Sequence, residues 1–195
     1  LEEKSIIRHF SATKTRLKEM ILDALDDYER NNAPQEQLKK QLHQVKLLAL
    51  KGFKTEASRL LDKIQKRAVL SDSLEIALLA TKTKIPLMGL PAMDLEAHKK
   101  EEQHYTHLLQ HESEFNYLHY KTYQLIYKWN RFRSQEDLEI LQEVMQHPLL
   151  QHEKEALTFR SKMQFYDIHA TYHSKVTQDG MKSYHYQKAY LQFWE

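Results

Sequence analysis

Three histidines, His104, His107 and His111, recur at i, i+3 and i+7, with Glu114 one turn further on. On a helix that spacing puts all four side chains on one face, and imidazole with carboxylate is a donor set that Zn²⁺ or Ni²⁺ accepts. A metal-binding helical protein working through this face is one expectation. The plainer one is a solvated polar face, because Lys99, Lys100, Glu101 and Glu102 lie just upstream. The run His111-Glu112-Ser113-Glu114-Phe115 falls short of H-E-x-x-H, since Phe115 stands where the second histidine belongs. His169 and His173 form an i, i+4 pair with no matching carboxylate–histidine pattern. The expectation is therefore no resident metal and no cofactor, with the His104 to Glu114 face as the candidate if a metal is held.

Aromatic residues form the second constellation. Phe115, Tyr117, Tyr120, Tyr123, Tyr127, Trp129 and Phe132 are denser than one buried stripe needs, so they wrap much of a helix. Either that helix is wedged between layers, or some tyrosines line a concave groove that takes a peptide. Tyrosine suits such a groove because it offers large contact area at low entropic cost. Tyr120, Tyr123 and Tyr127 are the partner-binding candidates. Tyr184, Tyr186, Tyr190, Phe193 and Trp194 repeat the theme near the C-terminal end. A third constellation, Arg59, Lys63, Lys66 and Arg67, could contact phosphates and so gives a nucleic-acid-binding helical repeat as a further alternative. Glu56 and Asp62 are interspersed there, and the net charge is only +2, so nucleic acid is disfavoured as a partner.

Catalysis has the least support. The three glycines stand far apart, at 52, 89 and 180, which excludes a G-x-G-x-x-G or P-loop. Cysteine is absent, which excludes thiolate ligands, disulfides and a cysteine nucleophile. No G-x-S-x-G or kinase motif set is present. The chain is not expected to be an enzyme.

These residues must be positioned by elements, and the composition says which. With 3 Gly and 4 Pro in 195 residues there is too little turn chemistry for a sheet protein, so long helices are expected. No apolar run approaches the roughly 20 residues of a membrane span. Residues 1–97 carry 17 Lys+Arg, 14 Asp+Glu, 2 His and 1 Tyr, whereas residues 98–195 carry 12, 13, 10 and 10. That shift, beside the loop-like Pro86–Pro91, divides the chain into N-terminal hairpins at 1–91 and an aromatic-rich layer at 92–195. We read both as parts of one continuous α-helical domain. Leu87, Met88, Leu90 and Met93 are expected to dock on neighbouring helices. Beginning at Leu1 and ending at Trp194-Glu195, the chain is expected to be a piece of a longer, cytoplasmic protein. Its oligomeric state is left open.

Apolar stripes at helical spacing place the elements. Leu17, Ile21, Ala24, Leu25 and Tyr28 mark the first helix, which stops at Asn31-Asn32-Ala33-Pro34. Leu38, Leu42, Val45 and Ala49 mark the second, ended by Gly52, and Ala57, Leu60, Leu61, Ile64 and Ala68 the third. Asp72 with Glu75 predicts a capping box before Leu74, Ala77, Leu78 and Ile85. One long central helix is expected from about Met93 to Asn130. Ser134 with Asp137 predicts another capping box, His147-Pro148 a stop, and residues 153–177 a further helix before the Asp179-Gly180 turn. About eight helices result, in an all-α fold.

Two of the hairpins share a further pattern. Gly52-Phe53 lies at one turn with Ala57 four residues past Phe53 and Leu61 and Ile64 beyond. Asp179-Gly180 lies at the other, with Ser183 four residues past Asp179 and Tyr190 beyond. This resembles the tetratricopeptide (TPR) repeat, with its turn glycine, small residue early in the second helix and apolar residues after it. The chain is similar to the degenerate TPR-like helical proteins of bacterial families. The resemblance implies stacked antiparallel hairpins in a TPR-like superhelix and a non-catalytic scaffold that binds another protein or a peptide.

Overall fold

The structure is a computed structural model that describes residues 2–88, 94–129 and 135–193. Within these spans the side chains of 2–9, 30–32, 86, 88, 127–129, 135 and 137 are not described. Among the described residues the fold is all-α, with eight α-helices and no strand. The chain packs as two compact units, Leu1–Asp94 and Leu95–Glu195.

The first unit holds α1 (Glu2–Asn32), α2 (Pro34–Leu50), α3 (Lys54–Leu70) and α4 (Leu74–Met88). Pro34 opens α2, where its fixed φ suits the first turn and its missing N–H costs nothing. Leu38, Leu42 and Val45 of α2 pack with Ala57, Leu61, Ile64 and Ala68 of α3, all buried. Gln65 Nε2 donates to Thr81 Oγ1 at 3.0 Å, and the Thr81 hydroxyl donates to Ala77 O at 3.0 Å, so α3 and α4 close on a satisfied polar pair.

The α2–α3 and α3–α4 turns are both Schellman motifs. Phe53 N donates to Leu48 O at 2.9 Å and Gly52 N to Ala49 O at 3.0 Å, with Gly52 at φ +87°. After α3, Ser73 N donates to Ala68 O at 2.8 Å and Asp72 N to Val69 O at 3.2 Å, with Asp72 at φ +50°. Asp72 therefore ends α3 rather than capping α4. The residue whose carbonyl accepts the first bonds of α4 is Ser73, from Ile76 N and Ala77 N at 3.0 Å each. The loop expected at Pro86–Pro91 begins later than the sequence suggests, because α4 runs on to Met88. Leu87 is buried. Met88, Leu90 and Met93 lie outside the described side chains.

The second unit holds α5 (Leu95–Trp129), α6 (Gln135–Met145), α7 (Phe159–Tyr172) and α8 (Gly180–Gln192), with short 3₁₀ turns at Pro148–Leu150 and Glu153–Glu155 and a π turn at His173–Thr177. The long helix expected from about Met93 to Asn130 is α5, with 35 residues, and α1 is nearly as long with 31. The helix expected over 153–177 is instead three pieces. Thr158 is extended and its hydroxyl accepts from Ser161 N at 3.1 Å, which caps a fresh start at Phe159. At the other end the backbone widens into the π turn and leaves through Gln178 at φ +54°. Asp179 then caps α8 by accepting from Lys182 N at 3.0 Å. The core is aromatic and aliphatic together: Phe115, Leu118, Val144, Leu150, Phe165 and Ile168 are buried, with Tyr186 and Phe193 packed on them.

Candidate functional site

Polar side chains of α5 and α7 meet in one seam. His111, Asn116, His119 and Tyr123 face Ser161, Gln164, Asp167 and Thr171 in that order, so the two helices run parallel. On α7 the partners stand three, three and four residues apart, which makes them one helical face.

At the start of the seam the hydrogen bonds form a directed chain. Thr158 O–H donates to Ser161 Oγ at 2.9 Å, and Ser161 O–H donates to His111 Nδ1 at 3.2 Å. His111 Nε2–H donates to Glu155 O at 2.6 Å. Both ring nitrogens of His111 are used. Gln164 Nε2 donates to Asn116 Oδ1 in the middle. Further along, His119 Nε2–H donates to Asp167 Oδ2 at 2.8 Å and Tyr123 O–H to the same oxygen at 2.9 Å. Burial alone would raise the Asp167 carboxyl. The bonds from His119 and Tyr123 outweigh that and hold it below the ordinary carboxylate range. A histidine aligned by a carboxylate is the pair used for proton transfer, but here the Tyr123 hydroxyl donates its hydrogen bond to the same carboxylate. The arrangement joins α5 to α7.

The α7–α8 contact is a second ordered cluster. Tyr186 stacks on His169 (4.7 Å between centroids, 16° between planes) and on His173 (5.7 Å, 9°). His169 Nε2 donates to Leu150 O at 2.9 Å, and Ser183 Oγ donates to Ala170 O at 3.1 Å. Burial pushes both histidines below their usual range; His173 adds to the effect on His169, and the Lys182 ammonium adds to it on His173.

The metal candidates are dispersed among other partners. His104 and His107 are exposed, and the His107 and His111 rings stand 6.5 Å apart. Glu114 lies 3.8 Å from His147 Nε2. Among the described residues no group of three or more His, Asp or Glu side chains is placed to hold a metal ion. Of the tyrosine candidates, Tyr120 is 68% exposed while Tyr123 turns into the seam. The side chain of Tyr127 lies outside the described residues, as do those of Trp129, Phe132 and Trp194. Tyr117 is also exposed, with Lys121 Nζ 5.8 Å from its ring centre. The basic residues Arg59, Lys63, Lys66 and Arg67 are all exposed on α3, with Glu56 and Asp62 among them.

An apolar site appears where the sequence placed only a turn. A cavity of about 370 Å³ opens beside the α2–α3 turn, lined by Gln44, Leu47, Leu48, Lys51, Phe53 and Leu60. The Schellman turn creates it by setting Phe53 beside Leu48 across the helix end. Leu47 and Phe53 are 47% and 53% exposed at its rim. A second cavity, about 280 Å³, lies at the other end of the pair between Pro34, Leu38, Arg67 and Leu70. Among the described residues no helix is long and apolar enough to cross a membrane. Comparison of the chain with protein-family models, with curated proteins and with solved structures gave no match.

Proposed function

We propose that the chain is a non-catalytic protein–protein interaction scaffold of helical hairpins, with the cavity at the α2–α3 turn as the place where a partner protein or peptide inserts an apolar side chain. The observation that carries this reading is that cavity: its Leu47 and Phe53 stay open to solvent, while Leu38, Leu42 and Val45 of α2 and Ala57, Leu61, Ile64 and Ala68 of α3 are buried. Apolar concavities with a few polar groups at the rim are where ligands and partner side chains bind. Gln44 and Lys51 supply those polar groups. The resemblance to TPR hairpins supports it further, since Ala57 and Ser183, the small residues of that pattern, are both buried. His111 speaks against the metal alternative, because a metal would displace one of its two hydrogen bonds.

The test is affinity capture from native extracts followed by quantitative mass spectrometry, with Leu47→Glu as the cavity variant and Val69→Glu as an exposed apolar control. A partner retained by the native chain and by Val69→Glu but lost with Leu47→Glu supports the reading. A partner set unchanged by Leu47→Glu, or none at all, overturns it. The expected setting is cytoplasmic.

A further inference from the structure

Every described side chain of α1, from Phe10 to Glu29, is exposed. Some of the apolar ones fall at heptad spacing, with Ala12, Met20, Leu22 and Leu25 outside that set. Phe10, Leu17 and Ala24 repeat every seven residues, and Ile21 and Tyr28 repeat every seven, four residues behind. With Lys14 they form a continuous a/d seam, Phe10–Lys14–Leu17–Ile21–Ala24–Tyr28, stepping four and three residues in turn. That is the periodicity of a helix that pairs with another helix. Its large members are between 51% and 70% exposed.

Charge on the same helix is biased along its length. Residues 2–18 carry Lys4, Arg8, Lys14, Arg16 and Lys18 against Glu2 and Glu3, while residues 19–32 carry Glu19, Asp23, Asp26, Asp27 and Glu29 against Arg30. A second α1 laid parallel would set like charge beside like charge. Laid antiparallel, each basic half lies along an acidic half. The seam obeys the same symmetry. When the two helices cross at residue 19, Phe10 meets Tyr28 of the other copy and Leu17 meets Ile21. Lys14 lies over the small Ala24, its ammonium within reach of the Asp23–Asp27 stretch. One sequence thus supplies both apolar and electrostatic complementarity to itself in one orientation.

We propose that α1 pairs antiparallel with α1 of a second copy of this chain. The pairing stands apart from the α2–α3 cavity, and neither reading needs the other. Its basis is the order of residues in α1, with an isolated amphipathic helix in water gaining most of its stability from packing its apolar face.

The experiment is sedimentation equilibrium on the whole chain and two charge variants. One carries Lys14→Glu, Arg16→Glu and Lys18→Glu, the other Asp23→Lys, Asp26→Lys and Asp27→Lys. The native chain dimerises, more weakly in high salt. Each variant alone self-associates about tenfold or more less tightly, since facing like charges are destabilising, and an equimolar mixture of the two restores dimers. Circular dichroism of each variant reports that it is folded. A spin label at Ser11→Cys, in a chain with no other cysteine, fixes the orientation: antiparallel pairing puts the two labels about 24 Å apart along the axis, parallel pairing at about 10 Å. A native chain that stays monomeric, a dimer that the charge variants leave unchanged, or labels at the shorter separation overturns the proposal. A monomer that instead binds another protein through α1 overturns it equally.

Discussion

The same substitution at two glycines should act with opposite sign. Gly52 stands at φ +87° as the left-handed residue that closes α2, and a Cβ there would meet no atom within 4 Å. The penalty of Gly52→Ala is therefore conformational alone. A left-handed conformation costs an L-residue about 1–2 kcal/mol. Alanine also narrows the unfolded ensemble, which offsets about 0.4–1 kcal/mol. The net expectation is a loss close to 1 kcal/mol. Gly180 opens α8, its φ is not positive, and a Cβ there also meets nothing within 4 Å. Gly180→Ala keeps the unfolded-state gain without the penalty, so it should stabilise by about 0.4–1 kcal/mol. Urea unfolding followed by far-ultraviolet circular dichroism measures both on the same chain. Equal shifts of the same sign would refute the reasoning, because the two sites then share a conformation and α2 does not end in a Schellman turn.

Three further perturbations test packing and charge. Ala57 is fully buried in the first turn of α3, so Ala57→Leu should overpack the α2–α3 hairpin and cost about 1–3 kcal/mol; an unchanged unfolding midpoint would remove the close helix approach. Phe115 is fully buried at the centre of the second unit, and Phe115→Ala should cost about 3–5 kcal/mol in the same assay. His169 titrates below its unfolded value, so the unfolded chain binds its proton first as pH falls. The stability contributed by neutral His169 is complete above about pH 6.5 and declines as pH drops from there through the folded value. His169→Gln, which keeps a donor for Leu150 O, should flatten the pH dependence of stability between neutral and mildly acid solution. An identical slope would contradict the buried, neutral state of that ring.

The sequence carries the helices of this fold more openly than their junctions. The stripes of Leu38, Leu42 and Val45 and of Ala57, Leu61, Ile64 and Ala68 are buried as their spacing implies, whereas the equally periodic Leu17, Ile21, Ala24, Leu25 and Tyr28 of α1 are exposed: periodicity marks the helix and its apolar face, and what packs on that face is set elsewhere. Asp72 misleads because Asp-x-x-Glu before an apolar run looks the same whether the aspartate caps the next helix or ends the last one left-handed. Only the bonds to Ala68 and Val69 separate the two. The break at Ala156–Thr158 has no Gly or Pro to announce it and depends on the Thr158 side chain finding Ser161.

The seam was legible only by half. His111 stands out by type, but its partners lie 44 and 50 residues away, at Glu155 and Ser161, where no spacing rule reaches. Ser161, Gln164, Asp167 and Thr171 do form a polar stripe on one face of α7, and that stripe was the available signal. The tyrosines show the opposite limit. Tyr120 and Tyr123 are three residues apart, yet one is open and the other is held by Asp167, a difference set by what packs on the helix. The apolar cavity left no mark, because Leu47, Phe53 and Leu60 read as ordinary hairpin residues until the turn geometry sets them around a space.

The most direct test of the interaction reading is calorimetric titration of the captured partner segment into the native chain and into Leu47→Glu, at several temperatures. The reading predicts saturable binding with a negative heat-capacity change, as burial of apolar surface requires, lost in Leu47→Glu while its unfolding curve stays native-like. Binding of equal strength to both chains, or binding with no heat-capacity change, would contradict it.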